Sequence, residues 1–224
     1  MALNESKGNM YYFVSHTWNP IKGKCSHDCG YCYMKRWGNQ KPIHLDEKEL
    51  KTDLGEGNFI FVGSSCDLFA DDVPGQWIIQ VLNHCNKFNN NYLFQTKNPM
   101  RILVEDWHAH PIFKKSVVCT TIESSHRHPQ MGNTPSITNR ATALLKLNNL
   151  GIDTYVTIEP IMDFDLDPLV DKIQRTRAKQ VNIGADSKGS GLIEPSKEKI
   201  LALIEILSKF TKVVQKPNLK RLLK

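Results

Sequence analysis

A chain of 224 residues is long enough for one domain, or one and a half. Its apolar fraction of 40% and charged fraction of 23% are those of a soluble globular protein and exclude wholesale disorder. No apolar run approaches the ~20 residues of a membrane span, and a net charge of +6, from 29 Lys and Arg against 23 Asp and Glu, permits an anionic partner without demanding one.

In chain order, Met1–Gly8 is polar and the apolar run Tyr11–Val14 is too short for a secretory leader. A cytoplasmic protein is therefore expected, with its six Cys as thiols rather than disulfides. Strands are predicted at Tyr11–His16, Phe59–Gly63, Tyr92–Gln95, Ser116–Ile122, Thr154–Ile158 and Gln180–Ile183, all rich in Val, Ile, Phe, Tyr and Thr. Helical periodicity falls between them: Trp77–Phe88 carries Ile78, Val81, Leu82 and Cys85 on one face, Thr138–Leu150 carries Ala141, Leu144, Leu145 and Leu147, and Ser196–Phe210 carries Ile200, Leu203, Ile204 and Leu207. Shorter helices are expected at Asp46–Leu54, Pro99–His108 and Asp167–Arg175. Strands alternating with helices predict a mainly parallel sheet, either open and doubly wound or an incomplete barrel, with chemistry at the C-terminal strand ends. The whole chain reads as one domain ending in a basic tail, 212–224, whose Lys212, Lys216, Lys220, Arg221 and Lys224 are expected on a solvated helix end.

The loudest feature follows the first strand: Cys25, Cys29 and Cys32, spaced C-x3-C-x2-C. Three thiolates this close repel one another unless a cation or metal cluster holds them. A structural zinc wants a fourth ligand, which His16, His27 or His44 would supply; an iron–sulfur cluster prefers thiolates and, on three Cys, keeps one iron open. Cys66, Cys85 and Cys119 stand alone, and His108, His110, His126 and His128 lack a two-by-two ligand pattern.

With Tyr31 just before the third Cys, the loop resembles the radical SAM enzymes, whose signature is C-x3-C-x-aromatic-C after the first strand. Thr17-Trp18-Asn19-Pro20 before the loop, Ser64-x-x-Asp67-Leu68-Phe69 after strand two, Thr96-Lys97-x-Pro99 after strand three and Ile158-Glu159-Pro160 after strand five look like a phage-associated branch of that superfamily. The resemblance implies a partial (β/α)6 TIM-like barrel with a six-stranded sheet. It also implies a [4Fe-4S] cluster on Cys25, Cys29 and Cys32, S-adenosyl-L-methionine (SAM) chelated to the open iron, and an electron donor such as flavodoxin or ferredoxin. It carries Tyr31 to the adenine, Ser64 and Ser65 to the SAM amino group, Thr121 and Glu123 to the ribose, and Arg140 to the carboxylate. Glu159 and Gly184 fall at strand ends that approach adenine, ribose or substrate.

The residues themselves place Asp67 and Lys97 at the substrate end of such a barrel: Lys97 binds a carboxylate or phosphate, or bridges to Asp67. Cys66 is either a buried inert thiol or a hydrogen-atom donor to a product radical. An anionic small molecule or nucleic acid is the expected substrate. The rival readings are a zinc-containing nucleic-acid or protein-binding module built on the same Cys loop, and a radical activase of a partner protein.

Overall fold

The computed structural model describes residues 3–187 and 189–224. Eight strands form one sheet: β1 (Asn4–Glu5), β2 (His16–Trp18), β3 (Phe59–Val62), β4 (Asn91–Gln95), β5 (Ser116–Thr121), β6 (Asp153–Ile158), β7 (Gln180–Ile183) and β8 (Lys212–Gln215). Their order across the sheet is their order in the chain. β1 is antiparallel to β2; every later pair is parallel. Because each crossover steps one strand in the same direction, no strand order reverses, and the sheet curls as the wall of an open barrel rather than as a doubly wound sheet.

Five helices cover the outside: α1 (Gly75–Asn86), α2 (Met100–Val104), α3 (Ile137–Asn149), α4 (Leu166–Thr176) and α5 (Lys197–Leu207). Ser136 and Ser196 cap α3 and α5, each hydroxyl accepting from the backbone N–H three residues on. Two apolar layers bind helices to sheet. Ile60, Val62, Tyr92, Phe94 and Val118 meet Ile78, Val81, Leu82 and Cys85 of α1. Val156, Ile158, Val181 and Ile183 meet Leu144, Leu169, Ile173, Ile200, Leu203 and Leu207. No described helix is long and apolar enough to cross a membrane.

Five expectations are corrected. The sheet has eight strands rather than six, because Asn4–Glu5 and Lys212–Gln215 extend its two edges. The strand predicted at Tyr11–His16 is displaced, because β2 begins only at His16. Tyr11 and Val14 instead turn inward and fill the barrel with Phe61, Leu93, Val117 and Cys119, backed by Phe13, whose ring lies 4.9 Å from that of Phe59 and 5.6 Å from that of Tyr155. The basic tail is a solvated helix end only in its last part: Val213 and Val214 add a strand to β7 and the Lys216 side chain is 7% exposed, while Lys220 and Arg221 stand exposed on the 3-10 helix Pro217–Leu222, where Arg221 donates to Glu194 at 2.7 Å. Of the shorter helices, Asp46–Leu54 reduces to a 3-10 turn at Glu49–Lys51, and Pro99–His108 breaks after Val104.

Candidate functional site

Strand alternation decides which side chains face the barrel interior. On β5 the inward series is Val117, Cys119, Thr121 and then Glu123; on β6 it is Tyr155, Thr157 and then Glu159. Lys97 and Gly184 continue the inward series of β4 and β7 past the last paired residue. On β4, β5 and β6 the inner wall thus turns from apolar to polar toward the C-terminal strand ends, whereas β7 carries the buried polar pair Gln180 and Asn182.

Above those ends lies a cavity of about 800 Å³. One side is lined by Cys25, Cys29, Tyr31 and Cys32 of the loop after β2, and by Ser64, Ser65, Cys66 and Asp67 after β3. Lys97 and Thr121 occupy its floor. Tyr11, Glu159, Pro160, Ala185 and Lys216 form the far side. Glu123, Arg140 and Gly184 are the predicted site residues that do not line it.

The cysteine loop has little regular structure of its own, and contacts from later in the chain fix it. The Gly30 N–H donates to the Gln130 carbonyl and the Asn133 N–H to the His27 carbonyl, both at 2.7 Å. Gly132, at φ +65°, presses so closely on the loop that a Cβ there would lie 2.2 Å from the His27 carbonyl oxygen. His27 is buried, with its Nε2 2.9 Å from Asp67 Oδ2. Burial alone would lower the His27 pKa, but the Asp67 carboxylate raises it overall. For Asp67, burial opposes ionisation, and the bonds from His27, the Lys97 N–H and the Thr96 hydroxyl nonetheless hold the carboxyl below its usual range.

Asp67 therefore accepts from four donors: His27, Thr96 at 3.1 Å, the Lys97 N–H at 2.8 Å and the Phe69 N–H at 3.0 Å. Its oxygens bind the Cys loop to the ends of β3 and β4, while Asp67 lines the cavity. The expected Lys97–Asp67 bridge is absent. Lys97 meets Asp67 through its backbone, while its ammonium points to Thr121 Oγ1 at 3.3 Å and to the Tyr31 ring, 5.4 Å from the centroid. No carboxylate pairs with that ammonium among the described residues.

Arg140 and Glu123 are corrected as well. Both side chains are fully buried, and Arg140 Nη1 donates to Glu123 Oε2 at 2.8 Å and to the Thr121 carbonyl at 2.6 Å. The other carboxylate oxygen accepts from the Tyr31 hydroxyl. Neither residue is open to a SAM carboxylate or ribose; together they tether Tyr31 from beneath. Burial would raise the Glu123 pKa, yet Arg140 and Lys97 keep the carboxyl below its ordinary value. Burial beside Glu123 pushes the Tyr31 phenol well up, so it stays protonated and donates.

Asn19, of the Thr-Trp-Asn-Pro segment, organises the turn after β3: its Oδ1 accepts from the Ser64 and Ser65 hydroxyls, each at 3.0 Å, and from the Ser65 N–H at 2.9 Å. The turn needs Gly63 at φ +76°, where a Cβ would lie 2.8 Å from the Cys66 carbonyl. On the far side, Glu159 accepts from Asn9 at 2.7 Å, Asn218 at 2.9 Å and Lys216 at 2.5 Å. Gly184 backs this cluster, and Ala185 rather than Gly184 reaches the cavity. The sequence does not single out Asn9, Asn19 or Asn218 as site residues, although Asn19 lies in the Thr-Trp-Asn-Pro segment; it offers His27 only as a zinc ligand and Lys216 only as a tail cation.

The donor set fits a thiolate-held cluster. Three free Cys of one loop line a single cavity. The Cys25 thiol is lowered, chiefly by its hydrogen bond with Cys66. That same contact and burial push the Cys66 thiol up, and burial raises Cys29. Among the described residues no three His, Cys, Asp or Glu side chains gather around a single metal-ion position, and His27 is held by Asp67.

No family model and no curated protein sequence matches the chain. Solved structures do. A doubly substituted spore photoproduct lyase with bound AdoMet and dinucleoside spore photoproduct superposes with a TM-score of 0.68 at 11% identity, covering 96% of this chain and 80% of that one. A Cys-to-Ala variant of the lyase with the dinucleoside gives 0.67 at 12% identity over the same shares, and a Cys-to-Ser variant gives 0.67 at 13% over 93% and 78%. At these identities the likeness is one of fold.

Proposed function

We propose that the protein is a radical SAM enzyme. The observation that carries this reading is the opening of Cys25, Cys29 and Cys32 from one loop onto the cavity at the C-terminal mouth of a parallel open barrel. The three thiolates hold a [4Fe-4S] cluster. When bound, that cluster supplies the electron that cleaves the SAM sulfonium to methionine and a deoxyadenosyl radical. The likeness to spore photoproduct lyase, solved with AdoMet, supports the same cofactor here.

The chain's own residues bind, orient and exclude water. Tyr31, tethered through Glu123 to Arg140, keeps the loop's ring against the cavity. The Ser64–Ser65 turn, set by Asn19, offers acceptors to an ammonium. Lys97, with no carboxylate partner among the described residues, takes an anionic group, the carboxylate of SAM or a substrate phosphate. Cys66, the cavity thiol outside the ligand set, is the hydrogen-atom donor in this reading. The substrate is an anionic compound, a nucleotide or nucleic acid, in keeping with the net charge of +6 and with the dinucleoside of the solved neighbours. A flavodoxin- or ferredoxin-like donor and a cytoplasmic site of action complete it.

The test is anaerobic reconstitution with iron and sulfide, then assay of deoxyadenosine in the presence of a reductant and SAM. A brown protein that forms deoxyadenosine supports the reading. A colourless protein that retains zinc and forms none overturns it in favour of a zinc-containing binding module.

A further inference from the structure

The lip of the cavity carries chemistry that SAM cleavage does not use. Between Lys22 and Leu45 the chain has five cations, Lys22, Lys24, Lys35, Arg36 and Lys41, against the one carboxylate of Asp28. Lys35 pairs with Asp28 and Lys22 with Asp46 and Glu49, which leaves Lys24, Arg36 and Lys41 with no ion pair among the described residues. Two aromatic rings stand among them in solvent: Tyr33, 39% exposed, and Trp37, 65% exposed. The Arg36 guanidinium lies over both, 4.9 Å from the Trp37 ring centre and 5.9 Å from that of Tyr33. This ladder leads inward, because Tyr33 lines the cavity beside Cys32 and donates its hydroxyl to the Ser64 carbonyl.

We propose that this lip, Tyr33, Arg36 and Trp37 with Lys24 and Lys41, binds a segment of single-stranded nucleic acid and feeds one of its bases into the cavity. Large rings left in water beside unpaired cations are what a single strand needs: π-faces for successive bases and positive charge for the backbone. An acidic peptide would use the cations but leave both rings idle. The proposal rests on the nucleic-acid branch of the function above, yet binding at the lip needs no cluster and is measured apart from catalysis.

The experiment is fluorescence anisotropy with a labelled single-stranded oligodeoxynucleotide of about 16 nucleotides. It is run at low and moderate salt on the reconstituted protein, with Trp37→Ala, Arg36→Ala and the remote surface control Phe210→Ala. Trp37→Ala is expected to weaken binding about tenfold. Arg36→Ala should weaken it and flatten the salt slope by about 0.7 per lost phosphate contact. Phe210→Ala should bind as the parent does. Any of four results overturns the proposal: no binding at low salt, unchanged affinity in Trp37→Ala, displacement by polyglutamate as efficient as by unlabelled oligonucleotide, or a duplex bound as tightly as the single strand. Deoxyadenosine formation by the same preparations separates the two claims. Oligonucleotide binding without deoxyadenosine keeps the lip and removes the catalytic reading, whereas deoxyadenosine without binding does the reverse.

Discussion

The two sides of the cavity handle polar groups in opposite ways. On the far side the Glu159 carboxylate is met by Asn9, Asn218 and Lys216, and the Lys216 ammonium also lies 4.4 Å from the Tyr11 ring centre. Each charge there has its answer inside the fold. On the cysteine side, three thiols and the Lys97 ammonium face the same space without a carboxylate or metal-completing partner among the described residues. Lys97 is half-buried, and a charge drawn out of water without an opposite partner is costly to keep. Under the proposed function, the contrast divides residues that build the cavity from those that await a ligand. Glu123, which sequence alone assigned to a ligand, belongs with the builders, and Asp67 does a builder's work in tying the Cys loop to the strand ends while lining the cavity.

The largest expected effect tests the second group. Replacing Cys25, Cys29 or Cys32 by Ala should abolish the cluster's colour and deoxyadenosine formation, whereas Cys85→Ala should retain both. Turnover in any of the three would end the assignment. The next effect tests the builders. Arg140→Met leaves the Glu123 carboxylate buried and uncompensated, at a cost of about 3–5 kcal/mol in urea unfolding, and the double variant with Glu123→Gln should recover most of that loss. The sign with pH follows from Glu123, whose folded pKa is depressed. Its contribution is present above the unfolded value of about 4.3 and is lost as pH falls through the lower folded value. Glu123→Gln should therefore show a shallower stability loss than the parent on acidification below that point.

Much of this was legible in the sequence, for identifiable reasons. Five of the six predicted strands fall where apolar β-rich runs are long enough to be covered on both faces. Tyr11–Val14 misled because apolar, aromatic residues that fill a barrel read like residues that form its wall. β8 went unseen because Val213 and Val214 sit between lysines, so composition spoke for a solvated tail. The cysteine loop announced itself through spacing, which is local. The partners of Asp67 and Glu123 could not be read, because each meets groups brought from another stretch of the chain: His27 lies forty residues from Asp67, and Tyr31 ninety-two from Glu123. A carboxylate in sequence looks the same whether it meets a ligand or an arginine.

Lys97→Ala is the sharpest test of the divide between builders and waiting groups. Lys97 makes no ion pair among the described residues and helps Glu123 only from a distance, less than Arg140 does, so the variant should lose far less stability than Arg140→Met. Affinity for the anion it holds should fall about 10- to 150-fold, the worth of a hydrogen bond to a charged group. A rise in the SAM dissociation constant assigns Lys97 to the cofactor carboxylate; a rise confined to substrate KM assigns it to substrate. A stability loss comparable to that of Arg140→Met would place Lys97 among the builders instead.

The smallest effect expected is at Gly184. An added Cβ there would lie 2.8 Å from the Glu159 carboxylate and 2.9 Å from Asn218 Oδ1, closer than such contacts allow. Glu159 cannot simply swing away, because Asn9, Asn218 and Lys216 hold it from other directions. Gly184→Ala should therefore cost about 1–3 kcal/mol, the range for overpacking a filled site, measured as a shift in the urea midpoint. The cysteine loop sits on the other side of the cavity, so cluster assembly should be untouched. Loss of the cluster's absorption in Gly184→Ala would mean that the far side helps to hold the loop and that the two sides are not separate. A variant as stable as the parent would mean that the Glu159 cluster is looser than its three short contacts imply, and that Glu159 is free to turn toward a ligand after all.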